Sequence, residues 1–474
     1  MRFTPLTEEN LEQLKPFFRE QTTRMSVYAG AYQFIWNRDL YSPDYAIVGR
    51  CLVLKGERGG RYYFYYPISR GGNLDEEREA LTEIEKYCAD NNYKLHFFNV
   101  PEERLDLLCR RYRTPIVIRS YPGWDDYLYS AEVFKNFEGK KFSGQRNHIN
   151  KFYRNYPDAA FHSFQSGDEA KILAFLDEFE KTQFNKNDKF ARHELKMVKK
   201  LVPHLTGLDQ KAGYMEADGK IISFAAGEIC GDTLVEHIEK ALREYDGVYT
   251  ATAQAFVKAF AGEGVVFLNR EDDGGDLGLR KSKLQYNPCR MVRKFFIDVE
   301  KPLSVLSVVP SFTSERLKFG KITEKDAAAY FALASDIERN RYWGYDYREE
   351  LNGEIADEKY FLNITRHDFR LRNELALGIF LGKKLVGEVV LWHFTYTGEA
   401  EIGVRILAEY EGLGYAREAL RAACNYAFCA LSVLRVEAKC YKENERSKKA
   451  LEGAGMRRYG EDEIYYYFYR NPMT

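Results

Sequence analysis

No run of apolar side chains in this chain approaches the ~18 residues that a membrane-spanning helix requires, so insertion into a bilayer is not expected. An excess of charge is missing too: 70 Lys and Arg stand against 71 Asp and Glu, a formal net charge of −1. That balance excludes non-specific attraction to nucleic acid or anionic lipid as a property of the whole molecule, while leaving local basic stretches open. The N-terminus, MRFTPLTEENLEQLKPFFREQ, lacks the basic-then-apolar pattern of a secretory signal. The eight cysteines (Cys51, Cys88, Cys109, Cys230, Cys289, Cys424, Cys429, Cys440) include no C-x-x-C pair, and most lie in apolar or helical contexts. Such thiols suit a reducing cytosol. Low-complexity tracts and short-period repeats are absent. The expected location is cytoplasmic.

What is present is 474 residues, 45% hydrophobic, 15% aromatic and 30% charged, which is apolar material for several cores. Length alone suggests about three units of ~150 residues. Strand-like and helix-like segments alternate, the pattern of mixed α/β units. Residues 46–54 and 61–67 predict a strand pair around a glycine-rich turn at 56–60, followed by a helix over 75–91 and a strand over 94–100. Further on, 169–184 and 192–202 read as helices. Strands follow at 220–230 and 233–242, then a helix at 248–261 and strands at 265–269 and 291–299. A Pro-Gly turn within 121–124 closes the first unit, and Lys301-Pro302 with VLSVVPSFTS forms the linker to the last. The expected units are therefore 1–122, 123–304 and 305–474. In the last one Thr323 and Asp326 make a Thr-x-x-Asp variant of the helix capping box.

The run EIGVRILAEYEGLGYAREALRAACNYAF, residues 401–428, predicts a strand, a turn holding Gly412 and Gly414, and a helix from about Tyr415 with Ala416, Leu420, Ala423 and Ala427 on one face. Glycines at a strand-to-helix turn let backbone amides converge on an anion, and the helix dipole adds to the attraction. A G-x-G-x-A turn alone carries little, because many helices begin this way for turn geometry. Its surroundings carry more: a hairpin over 380–395, the strand at Glu401, the turn and helix, a strand over 435–440, and a helix opening at Asn444.

In this order the segments resemble the GNAT N-acetyltransferase superfamily, closest to its ribosomal-protein N-acetyltransferase-like branch, over residues 311–470. The resemblance rests on Arg316-Leu317, Gly387-Glu388, Glu401-Ile402-Gly403, the glycine turn and Asn444-x-x-Ser447. It implies acetyl-CoA or another acyl-CoA as co-substrate. Gly412, Leu413, Gly414, Tyr415 and Ala416 would cradle the pyrophosphate, the backbone near Ile406 would pair with the pantetheine arm, and Asn444 and Ser447 would contact the cofactor's other side. Two positions depart from the family pattern. Glu411 stands where Gln or Arg is usual, and an acid there weakens phosphate binding unless it points away. Leu451 stands where many members carry a Tyr general acid, a loss that costs little near neutral pH because free thiols titrate near ~8.5. Glu401 is the candidate base, directly or through water; the alternative is a strand carboxylate paired with an Arg or Lys. Trp343 and Tyr345 fall in a loop that in this fold lies near the acceptor pocket. His96 and His393, within apolar strands, read as satisfied core histidines.

Upstream, Glu236, His237, Glu239 and Lys240 concentrate ionisable groups at a strand end; strict alternation would put His237 with Glu239 and Glu236 with Lys240. The acidic loop Glu271-Asp272-Asp273-Asp276 meets Arg280, Lys281 and Lys283. It lacks the spacing of a calcium loop, and no metal is expected. These residues resemble the C-terminal domain of phosphatidylglycerol lysyltransferases over roughly 20–300. The matching stretches are Arg146-Asn147-His148-Ile149-Asn150, His237-Ile238-Glu239-Lys240-Ala241 and 269–288, and they look like a soluble branch of that family. Its fold is two fused GNAT-like halves. The whole chain is then expected to be α/β (α+β), with three acyl-CoA N-acyltransferase folds in tandem.

The resemblance implies acyl or aminoacyl transfer at the N-terminal region, with His237 and Lys240 where the lipid-modifying enzymes carry Asp and Arg. An aminoacyl-tRNA or a nucleotide is the partner it suggests there. The basic stretch 140–154, with Phe142, Phe152 and Tyr153 interleaved, reads either as contact with an RNA end or as a solvated helix face. For the C-terminal unit the implied acceptor is a small-molecule, peptide or protein amine. Two alternatives stay open: an N-terminal region that only binds an acceptor, and a C-terminal domain that senses CoA without turnover.

Overall fold

A turn at Gly49-Arg50 splits the first expected strand in two. Gly49 has φ +57°, in the left-handed region that glycine enters freely, so Asp44–Val48 and Cys51–Arg58 fold back as a hairpin with Val48 opposite Cys51. The computed structural model describes residues 1–472 apart from 38–42, 59, 92, 184–188, 344–345, 350 and 352–354.

The strands form three mixed sheets, and each contains the same crossover: a strand, a helix, and a parallel return. In the first sheet these are Arg61–Tyr65, Leu74–Asp90 and Leu95–Pro101. The second has Thr233–Ala241, Val248–Phe260 and Phe267–Asn269. In the third they are Glu399–Ile406, Tyr415–Ala430 and Arg435–Tyr441. Parallel neighbours need such a crossover, whereas the hairpins beside them, Cys51–Arg58 with Arg61–Tyr65, Lys220–Cys230 with Thr233–Ala241 and Leu375–Leu381 with Lys384–Trp392, are antiparallel and joined by short turns. The fold is therefore α/β, with three GNAT-like sheets in tandem. The three tandem folds implied by the two family resemblances are present, and the repetition lies in strand order rather than in recurring residues.

Packing divides the chain into two compact units, 1–105 with 118–298, and 106–117 with 299–474. The first unit holds the first two sheets. The residues read as one strand at 291–299 serve both: Arg290–Val292 pairs with Asp126–Ser130 in the second sheet, while Lys294–Val299 lies beside Leu95–Pro101 in the first. The second unit includes a short piece of the first third of the chain, held where the Arg113 amide donates to the Tyr396 carbonyl (3.2 Å) and the Glu300 amide to the Pro115 carbonyl (2.9 Å). In its core, helix Tyr415–Ala430 lays Ala419, Leu420, Ala423, Cys424 and Ala427 against Leu377, Val389, Leu391, Ile402 and Val436. The capping box is present, the Thr323 amide donating to Asp326 Oδ2 at 2.9 Å.

Candidate functional site

In the third sheet the parallel strands Glu399–Ile406 and Arg435–Tyr441 pair only at Glu399–Arg435, Ala400–Val436 and Glu401–Glu437. Beyond that rung the pairing stops, so the inner edge of 402–406 has no strand partner while its outer edge stays bonded to Lys384–Trp392. Ile406 ends the exposed edge. An extended chain lying there would find unpaired amides and carbonyls, groups that are costly to leave without partners.

The strand leads on to the turn before helix Tyr415–Ala430. Gly412 (φ +75°) and Gly414 (φ +81°) hold conformations that an L side chain strains to adopt, and nothing lies within 4 Å of where a Cβ on Gly412 would point. Gly414 is the N-cap and no side chain caps the helix, so the first-turn amides of Tyr415 and Ala416 are aimed outward. Arg316 Nη2 and Arg417 Nη2 come within 3.5 and 3.6 Å of a Cβ built on Gly414. Arg316 also donates to the Leu413 carbonyl (3.0 Å), pairs with Glu418 (2.7 Å) and lies over the Tyr415 ring. Together these groups form a positive, amide-lined cradle fit for an anion. Asn444 caps the neighbouring helix Glu445–Gly453, its Oδ1 accepting from the Ser447 amide at 3.1 Å. From that helix Arg446 reaches Glu411 at 2.7 Å and neutralises the acid that sequence reading flagged as unfavourable.

At the last paired rung Glu401 is held by Trp392 Nε1 (3.1 Å) and by His393 Nδ1 (3.2 Å). The hydrogen bond to His393 keeps the Glu401 carboxyl below its usual range, and the same bond raises the imidazole. His393 is not a core histidine: it leaves the strand at φ +49° with its side chain mostly exposed. Gly403 leaves room for the Trp343 and Trp392 rings, whose tips would lie 2.9 and 2.6 Å from an added Cβ. Trp343 stacks on Arg405, which pairs with the fully buried Glu388. Tyr345 falls outside the described residues.

The second sheet has the same parting of strands, where Thr233–Ala241 and Phe267–Asn269 pair only through Val235–Asn269. Here the gap is filled. Arg270 donates to Glu236 (2.5 Å) and to Glu239, beneath the rings of Phe134 and Tyr286. Burial pushes the Glu239 carboxyl up to about 7 against the pull of Arg270. The glycine before its helix, Gly247, is covered as well: a Cβ there would lie 2.6 Å from the His148 carbonyl of helix Ser143–Asn155. That helix buries Ile149 and Phe152, ties Lys151 to Asp246 (2.5 Å), and turns Arg146 back to the Gly139 carbonyl (2.7 Å).

Residues 23–297 match the family described as phosphatidylglycerol lysyltransferase, C-terminal, which is more than half of the chain. The chain belongs to that family. Residues 316–457 match the acetyltransferase (GNAT) domain, which supports acyl transfer as the general chemistry. Two proteins of Bacillus subtilis resemble the C-terminal part. The uncharacterized N-acetyltransferase YoaA is 28% identical over 165 residues, covering 34% of this chain and 90% of its own. The uncharacterized N-acetyltransferase YnaD is 29% identical over 150 residues, covering 31% and 83%. A conserved protein of unknown function from Bacteroides thetaiotaomicron shares the fold over 63% of this chain and 100% of its own, at TM-score 0.57 and 23% identity.

Within the lysyltransferase-family region, His237 and Lys240 do not share a site. A β-bulge moves the pairing from Ala226–Ile238 to Gly227–Glu236, so His237 is the extra residue and strict alternation fails there. Glu236 and Glu239 consequently share Arg270. His237, with its side chain 1% exposed, sits between Glu271 (Nδ1, 2.6 Å) and Glu228 (Nε2, 3.1 Å). Glu228 in turn accepts from the amides of Gly30 and Ala31. Lys240 pairs with Glu194 at 2.8 Å. The acids of the loop are each engaged: Glu271 by His237, Asp272 by Lys294, Asp273 by Arg280 and Tyr127, and Asp276 by the Leu279 amide. Among the described residues no group of three or more His, Cys, Asp and Glu is placed to hold a metal.

Two carboxylates raise the His237 imidazole to about 9 despite its burial. A raised basic group stabilises the fold fully below its unfolded value near 6.5, and that contribution fades as pH climbs through 9. The unfolding free energy of the native chain, from urea denaturation, should fall between pH 7 and 9.5 by on the order of 2–3 kcal/mol. His237→Gln should be less stable at pH 7 and lack that decline.

Proposed function

We propose that the C-terminal unit moves an acetyl or other acyl group from acyl-CoA to an amine. The observation that carries this reading is the open parting of strands after Glu401, ending at an uncapped helix behind two positive-φ glycines. Gly412, Leu413, Gly414, Tyr415 and Ala416 would take the pyrophosphate, with Arg316 and Arg417 adding charge. The backbone near Ile406 would bind the pantetheine arm, and Asn444 and Ser447 would close the other side of the cofactor. The thioester then lies beside Glu401 and His393, on the sheet face that also bears Trp343, Trp392 and Arg405. The acceptor is an amine of a small molecule, peptide or protein.

We read the chain as three units divided at 122/123 and 304/305, of which the first two make up the N-terminal region. It serves either a second acyl or aminoacyl transfer or the recruitment of an acceptor. The Arg270 plug and the covered Gly247 favour CoA binding at the third sheet alone. His237, with both ring nitrogens engaged, is assigned to positioning the Glu228 and Glu271 carboxylates, and Lys240 to the Glu194 pair.

Calorimetric titration of acetyl-CoA into the whole chain tests the proposal; one site per chain is expected, with CoA thiol released when an amine is added. No binding would sink it, and binding without thiol release over a wide amine panel would favour a CoA sensor. Glu411→Gln should tighten acetyl-CoA and Arg446→Ala should loosen it, each by about threefold at low salt and less at high salt. Exposed charges of this kind are worth only ~0.2–1 kcal/mol and are screened.

A further inference from the structure

Glu374 immediately precedes the strand Leu375–Leu381, and the pairing of Leu375 with Leu391 sets it beside Trp392, on the rung that continues through Glu401. It was not singled out by sequence, since nothing in its local pattern separates it from any strand-initial acid. Among the described residues nothing hydrogen-bonds its carboxyl. The charged groups around it come from each packed element: Asp368 from helix Tyr360–Leu371, Glu388 from Lys384–Trp392, Arg405 from Glu399–Ile406, and His393 from the turn. His393 is drawn upward by both Glu401 and Glu374, so its imidazole stands within electrostatic reach of two carboxyls. Glu401 is occupied by Trp392 and His393.

We propose that Glu374, rather than Glu401, takes the proton from the acceptor amine, with His393 and Glu401 positioning the incoming nitrogen. The inference rests on the C-terminal unit being an acyl-CoA transferase. An ammonium N–H bond breaks, its proton passing to the Glu374 carboxylate and its electron pair staying on nitrogen. The nitrogen attacks the thioester carbonyl carbon, the C–S bond breaks with its pair going to sulfur, and a second amine proton neutralises the thiolate. One proton remains on the amide. Burial, with Asp368 and Glu388 adding to it, lifts the Glu374 carboxyl to about 7, where a base is half ionised at working pH.

The test uses the full chain with acetyl-CoA and two amine probes, 1,4-diaminobutane and a tripeptide amide with a free N-terminus. Native kcat/KM should rise with pH and level off above about 7. Glu374→Gln should lower kcat at least 100-fold and erase that limb, with the acetyl-CoA Kd changed less than twofold; Glu374→Asp should restore part of the rate. Glu401→Gln should keep the limb. If Glu374→Gln turns over at the native rate with the limb intact, the assignment is overturned. Should neither probe react, carbon-13 NMR of glutamate-labelled protein decides: a carboxyl titrating near 7 that vanishes in Glu374→Gln supports the assignment, and its absence overturns it. Failure to bind acetyl-CoA would overturn the transferase reading as well, and is seen separately by calorimetry.

Discussion

Gly414→Val should bind acetyl-CoA at least 100-fold more weakly than the native chain while the fold survives. Two effects combine at this position. At φ +81° a β-branched residue is strained, and relieving the strain turns the peptide that orients the first helical amides. The new side chain would also point at Arg316 and Arg417, into the space proposed for phosphate oxygens. A hundredfold loss corresponds to ~2.8 kcal/mol, about what one or two charge-assisted hydrogen bonds contribute. Calorimetry gives the affinity and far-UV circular dichroism checks the fold. Because the parting of strands in the second sheet is plugged, no second site of native affinity should appear in Gly414→Val. Native affinity in Gly414→Val would remove the glycine turn from the site.

Lys294→Met should cost the first unit ~3–5 kcal/mol of unfolding free energy, the usual result of stranding a buried carboxylate. Lys294 is 1% exposed and meets Asp126 at 2.5 Å and Asp272 at 3.2 Å; Asp126 is 0% exposed. Asp126 also accepts from the Ser26 amide and hydroxyl and from Asn269. These bonds link the second sheet to the segment around Ser26, so the loss should be cooperative rather than local. The double variant Lys294→Met with Asp126→Asn should be more stable than Lys294→Met alone, because the stranded charge is gone. Urea denaturation of the native chain and the two variants measures both. A loss under 1 kcal/mol would mean that water or rearranged carboxyls solvate Asp126.

Local features were legible because their causes are local. The helix starts at Tyr415 and at Asn444 follow from glycine and asparagine at their caps, and the Thr323–Asp326 box spans four residues. Strands 220–230 and 233–242 were readable from a single turn at Gly231-Asp232. The turn at Gly49 was missed because the apolar residues on either side run on unbroken. The bulge at His237 was also hidden. It needs Gly227 on the neighbouring strand, where a Cβ would lie 2.1 Å from the Val235 carbonyl, and one inserted residue reverses every face beyond it.

Sequence was therefore sufficient for the class of fold, the glycine turn and the order of elements around it, since each depends on the propensities of neighbouring residues. It was not sufficient for which charges meet. Arg446 reaching Glu411, Arg270 filling the second sheet and Glu374 sharing a rung with Trp392 and Glu401 join residues from separate elements. Electrostatic partners are chosen by distance in space, and only the packed sheets set those distances.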